Sequence, residues 1–180
     1  MGVRQILRMG DPQLRQRSMP VAVPWDDHLK ELILDLQDTM EANQGAGLAA
    51  PQLGVLLRVV VFGGAAINPR YPDQAALPRT ILINPVLTPL GEGKEQGWEG
   101  CLSVPGLRGK VRRWSRLRYQ GFDESGNEID RSVDGFHARV VQHECDHLDG
   151  ILYPDKLSSS DAFGFIPELE ATGLIPAISK

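Results

Sequence analysis

The sequence has 180 residues, 42% of them hydrophobic, which suits one domain with a real core and would crowd two. With 19 Lys+Arg against 23 Asp+Glu the net charge is -4, so nothing in the composition favours a nucleic acid or an anionic membrane as partner; a small molecule or a peptide fits better. The opening MGVRQILRMGDP holds no apolar run of signal-peptide length, and no later stretch approaches the roughly 18 apolar residues of a membrane span, so a soluble intracellular protein is expected.

From Asp26 to Asn43 apolar residues recur at Leu29, Leu32, Ile33, Leu36 and Met40. This stripe, with acids at its start and Gly45 beyond its end, predicts an amphipathic helix. VLLRVVVF (55–62) and TILIN (80–84) are short β-branched runs bounded by Gly or Pro, expected as strands, with the Pro-rich stretch 65–78 as a surface loop. RLRYQGF (116–122) alternates before the turn residues DESGN and the run EIDRSV, which predicts a hairpin. Helical periodicity returns from Asp134 to Leu148, and Gly150 is placed for a left-handed cap. The Ser run 158–160 opens what reads as a loose tail. The expectation is an α+β fold, with a single catalytic domain over 1–157 and a tail over 158–180.

The second helix carries HECDH (143–147). At about 100° per residue, His143 and His147 share one face with Phe136 and Val140. Ala138, Val141, Cys145 and Leu148 fall on the opposite face, and a helix apolar on two sides belongs in the middle of its domain. Glu144 completes H-E-x-x-H, in which two imidazoles hold a metal and the Glu handles protons. A catalytic site of this kind wants a third protein ligand. Only two cysteines occur, both expected as thiols in a reducing compartment. Cys145 points roughly 180° away from the two histidines and reads as a small core residue. Cys101 remains, in GWEGCLSVPG, where Gly97 and Gly100 let the backbone approach another segment closely. Taken alone it would read as a buried core thiol; beside two imidazoles it would complete three ligands and leave an open fourth position. His137 and His28 are the weaker candidates, both expected to face solvent.

Together the stretches GAGLAAPQ (45–52), EGCLS (99–103) and QHECDHLDG (142–150), with ILRMGDPQL near the start, closely resemble the peptide deformylase family over roughly residues 5–157. The resemblance implies antiparallel sheets around a central HExxH helix and, as metal ligands, Cys101, His143 and His147. It implies ferrous iron as the ion, with Ni²⁺, Co²⁺ or Zn²⁺ as substitutes. It also implies removal of the formyl group from the N-terminal formylmethionine of new polypeptides, in a bacterial cytoplasm or an organelle matrix. Glu144 would carry the proton, while the Gln52 side-chain amide and the Leu102 backbone N–H would stabilise the oxyanion. The implied substrate-binding residues are Gly45, Ala46, Gly47 and Gly100, where a peptide could add as a strand, and Phe136 and Val140 for the methionine side chain.

The sequence departs from the family in two places. Ala46 stands where many relatives carry Ile or Val. Residues 158–180 hold one Lys against Asp161, Glu168 and Glu170, with Pro167 and Pro176 interrupting, which argues against ribosome docking through the tail and leaves at most a transient contact. Two other readings stand beside the family one. A zinc-type metallopeptidase would share HExxH but takes His or Glu as its usual third ligand. A catalytically silent peptide-binding module would be expected to lose Glu144 or Gln52, and both are present.

Overall fold

The computed structural model describes residues 2–23 and 25–176. Helix α1 spans Asp27–Ala42, with Asp26 as its cap accepting a hydrogen bond from the Leu29 N–H. Its stripe of Leu29, Leu32, Ile33, Leu36 and Met40 is buried, as expected. Past its end Gln44 takes the left-handed conformation (φ 52°), and the Gly45 N–H closes onto the Met40 carbonyl.

Strands β1 (Gly47–Ala49), β2 (Val59–Phe62), β3 (Thr80–Pro89), β6 (Arg116–Phe122) and β7 (Glu128–Asp134) form an antiparallel sheet in the order β1-β2-β3-β6-β7. Both faces of its centre are covered. Val59, Val61, Ile81 and Ile83 pack with α1, while Val60, Phe62, Leu82, Leu117 and Tyr119 pack with helix α2 (Gly135–Leu148). That is why VVVF and TILI read as continuous apolar runs rather than alternating ones. The expected strand at 55–62 forms only over its second half. The expected strand at 80–84 runs on to Pro89, past a bulge between Ile83 and Val86. Asn84 supplies the positive φ there (52°), and its side-chain amide pairs with both backbone groups of Val21. The β6–β7 hairpin turns through DESGN as predicted, with Asp123 accepting from the Ser125 and Asn127 N–H groups.

A second sheet, in the order β4-β5-β8, is made by β4 (Lys94–Cys101), β5 (Val104–Trp114) and β8 (Phe163–Phe165). Helix α2 lies between the two sheets and is buried over most of its length. Gln142 fastens it to the end of β5, accepting from the Trp114 N–H and donating to the Trp114 carbonyl. Gly150 ends α2 in the left-handed conformation (φ 73°), as expected. The expectation of a loose tail is corrected for much of its length: β8 pairs with β5, a short helix α3 (Ile166–Ala171) follows, and Leu169 is buried. Residues 177–180 lie outside the described residues.

Candidate metal centre and active site

The two sheets deliver the site from opposite sides. Cys101 ends β4, and Leu102 and Ser103 turn the chain into β5. His143, Glu144 and His147 come from α2, and Gln52 from the single 3₁₀ turn Ala50–Leu53 that follows β1. The Cys101 sulfur and one ring nitrogen from each of His143 and His147 lie within 4.8 Å of one another, all three residues buried. Cys101 Sγ is 3.3 Å from His147 Nε2. A tetrahedral ion with bonds of about 2.0–2.3 Å sets its ligand atoms roughly 3.5 Å apart, so the donor set fits a divalent metal.

His143 is aimed by a buried carboxylate. Its Nδ1–H donates to Glu99 Oε2 at 2.9 Å, leaving Nε2 free toward the cysteine. Glu99 is in turn gripped by Arg113, through Nε and Nη2 at 2.9 Å each, and by Arg139 Nη1 at 2.7 Å. Arg113 continues to Asp146, which Lys156 reaches from the surface. Burial pushes the Glu99 pKa up, but the hydrogen bonds from Arg113 and His143 outweigh it and hold the carboxyl well below the usual range. At Cys101 burial again raises the pKa, and the neighbouring His147 and His143 overcome it, so the sulfur favours the thiolate.

Glu144 sits over β1. Burial raises its pKa to about 7 against the opposing pull of His143 and His147, and its Oε2 has no hydrogen-bond partner among the described residues. Gln52 is held at both ends of its amide: Oε1 accepts from the Ala49 N–H at 2.9 Å, and Nε2 donates to Ser103 Oγ at 3.0 Å. The second Nε2 hydrogen faces Cys101 Sγ, 3.5 Å away.

The remaining expected residues fall as follows. Gly47 is buried at the start of β1, the edge strand of its sheet; Gly45, just before the strand, is also buried, with Ala46 half-buried between them. Phe136 lines a small cavity with Gly45, Ala46 and Tyr71, whereas Val140 is buried in the cluster behind it. Gly100 has no partner in the β4–β5 register; both its backbone groups are bound to the Tyr71 hydroxyl. Cys145 packs against the large sheet, away from the cluster, and burial drives its thiol pKa far up. His28 is exposed, as expected. His137 is not: it is half-buried against Phe62 and Tyr119, because its position on α2 turns toward the sheet rather than to water.

Residues 3–163 match the family model described as polypeptide deformylase. The chain belongs to the peptide deformylase family.

Among its relatives, peptide deformylase 1 of Prochlorococcus marinus is 60% identical over 180 residues, covering all of this chain and 94% of the relative. Peptide deformylase 1 of Nitrosomonas europaea is 57% identical, covering 93% of this chain and 94% of the relative. A class I type b peptide deformylase from Acinetobacter baumannii, solved with Met-Ala-Ser bound, superposes with a TM-score of 0.82 at 33% identity, covering 86% of this chain and 98% of that one. The activity is therefore metal-dependent hydrolysis that removes the N-formyl group from new polypeptides.

Sequence reasoning missed Glu99, Arg113, Arg139, Ser103 and Tyr71. Glu99 stood inside a quoted motif, and Arg139 lies one helical turn before His143. A carboxylate between glycines in an apolar context was the available signal, since such a group demands cationic partners once buried.

Proposed function

We propose that Cys101, His143 and His147 hold ferrous iron and that the chain deformylates N-formylmethionyl peptides in the cytoplasm. The observation that carries this is the convergence of one sulfur and two ring nitrogens within 4.8 Å, beside a buried carboxyl oxygen with no partner. When bound, the ion supplies Lewis acidity, lowering the pKa of a water toward neutrality and polarising the formyl oxygen.

The chain's own residues do the rest. Glu144 takes the proton of the attacking water at Oε2 and passes it to the departing amine nitrogen; a group with a pKa of about 7 can do both near neutrality. Gln52 Nε2 donates to the oxygen on which charge develops, through the hydrogen that faces Cys101 Sγ in the free protein. Its amide is held in place by Ala49 and Ser103, so only that contact to sulfur is given up, and a donor of this kind is worth roughly 3 kcal/mol. The Leu102 N–H, in the turn after Cys101, is the second donor. A peptide adds alongside Gly45–Gly47, where the chain enters the open edge of β1, with Gly100 facing it. Phe136, backed by Val140, receives the methionine side chain, and the small Ala46 leaves that wall wider than a branched residue would.

The test is metal analysis of anaerobically purified protein together with release of the free N-terminal amine from formyl-Met-Ala-Ser and from its N-acetyl counterpart. About one iron per chain and a strong preference for the formyl substrate are expected. Full activity in protein stripped of metal, or equal cleavage of both substrates, would overturn the assignment.

A further inference from the structure

The segment between β2 and β3 crosses the site as a strap. Its neck is closed by the Gly64 N–H on the Leu77 carbonyl, after Gly63 and Gly64 enter with φ of 76° and 97°. Midway along, Tyr71 lies between Phe136, with ring centroids 5.0 Å apart, and the Arg108 guanidinium, 4.4 Å from its ring centre. Arg108 also donates to the Arg70 carbonyl at 2.8 Å, which holds the strap down. The Tyr71 hydroxyl accepts from the Gly100 N–H at 3.1 Å and donates to the Gly100 carbonyl at 3.4 Å.

Gly100 is the one residue of β4 between Glu99 and Cys101, and the β4–β5 register skips it. Its N–H and C=O are thus offered to the cleft, next to a proposed metal ligand, and one side-chain hydroxyl occupies both. A buried main chain must be satisfied, so in the free enzyme the tyrosine does what a peptide backbone would do in the complex. The same strap, Tyr71 included, lines the small cavity against Gly45 and Ala46.

We infer that Tyr71 is a specificity-determining gate: the peptide chain beyond formylmethionine must exchange its own backbone for the Tyr71 hydroxyl at Gly100, with the strap yielding from its Gly64–Leu77 neck. The inference rests on the proposed placement of the peptide at Gly100. Competition of this kind penalises substrates long enough to reach Gly100 and leaves formylmethionine amide untouched. It makes the hydroxyl, rather than the ring, the group that sets the difference.

Tyr71→Phe keeps the ring between Phe136 and Arg108 and removes the hydroxyl. For formyl-Met-Ala-Ser the variant should show a KM lower by about two- to tenfold, the worth of one or two neutral hydrogen bonds, with the change in KM rather than kcat. KM for formylmethionine amide should not move. In the zinc-loaded, diamagnetic form, the Gly100 amide should exchange faster with solvent in free Tyr71→Phe than in the free parent, and should be protected equally in both when Met-Ala-Ser is bound. A KM that rises for the tripeptide, or Gly100 exchange unchanged in the free variant, would overturn the gate. If Gly100 exchange does rise in the free variant but bound Met-Ala-Ser leaves it unprotected, the peptide does not run along Gly100. The proposed placement then fails first, and the gate falls with it.

Discussion

Gly47 has no side chain because Glu144 fills the space where one would be. A Cβ on Gly47 would lie 2.5 Å from Glu144 Oε1 and 2.7 Å from its Cδ, well inside any real contact. The glycine of GAGLAAPQ therefore sets the position of the proposed proton carrier from across the cleft, in addition to leaving β1 open along its edge.

Gly47→Ala should accordingly behave as a milder form of Glu144→Ala. Glu144→Ala removes the proposed general acid–base group, with an expected loss in kcat of about 10²- to 10⁴-fold. Gly47→Ala forces the carboxylate aside and should fall partway along the same scale. Metal content should be unchanged in both, since neither residue is a proposed ligand. Comparison of kcat with metal-to-protein ratio checks this, and metal loss in Glu144→Ala equal to that in His143→Ala would contradict it.

The two cysteines should separate cleanly. Cys101→Ala removes a proposed ligand and should lose metal and activity together. Cys145→Ala trims a side chain in the core cluster that also holds Ala49 and Val60 and should keep both, at a stability cost of order 1 kcal/mol. Elemental analysis and urea unfolding of the two variants decide the matter; reversed effects would show that the wrong thiol had been chosen.

Glu99→Gln should be the most disruptive conservative change in the protein. Arg139 would lose the carboxylate that balances it in the interior, and Arg113, with its side chain 3% exposed, would be left with Asp146 alone. Breaking a buried pair in this way costs about 3–5 kcal/mol. His143 would keep only a weaker acceptor for Nδ1, so metal affinity should also drop, by about 10- to 100-fold. Chelator competition measures the second effect and denaturant unfolding of the metal-free protein the first.

His137 gives a pH dependence remote from the metal. Burial, with Arg131 adding to it, lowers its folded pKa below the ordinary value, while Asp134 opposes. A depressed folded pKa means that the unfolded chain takes up the proton first. The associated stability is complete above the unfolded value of about 6.5 and is lost as pH falls from there through the folded one. His137→Phe retains the ring contacts with Phe62 and Tyr119 but cannot titrate. Between about pH 7.5 and 5.5 the parent should lose more unfolding free energy than the variant; parallel losses would exclude His137 as a source.

What could be read from the sequence divides along local and non-local lines. α1, the β6–β7 hairpin, the HExxH face of α2 and the burial of Cys145 all follow from periodicity within one segment. The β4–β5 hairpin does not, because Gly97, Gly100, Gly106 and Gly109 make it look like a loop. Two of these glycines are there for packing: a Cβ on Gly97 would meet the Arg139 guanidinium at 2.8 Å, and one on Gly109 would meet Tyr153 at 2.9 Å. The partners lie 42 and 44 residues away, and no local pattern records them. For the same reason Glu99 was visible and its role was not. The chemistry of the site was legible through the three family motifs, whereas the Tyr71 strap lies in a Pro-rich stretch with no motif at all.

The proposed metal ligands come from two layers that touch mainly through α2, and Cys101 and His147 are 46 residues apart in the chain. An ion bound to both is a removable cross-link. Like any such link, it disfavours the unfolded ensemble by closing a long loop, and it favours the folded one in proportion to how tightly it is held. The enzyme's durability is then tied to the supply of its metal. A chain starved of the ion is left to hold its small sheet against α2 by packing and by the Glu99 ion cluster alone. In that state the end of β4 and the turn at Leu102 should be the first places to open to proteases.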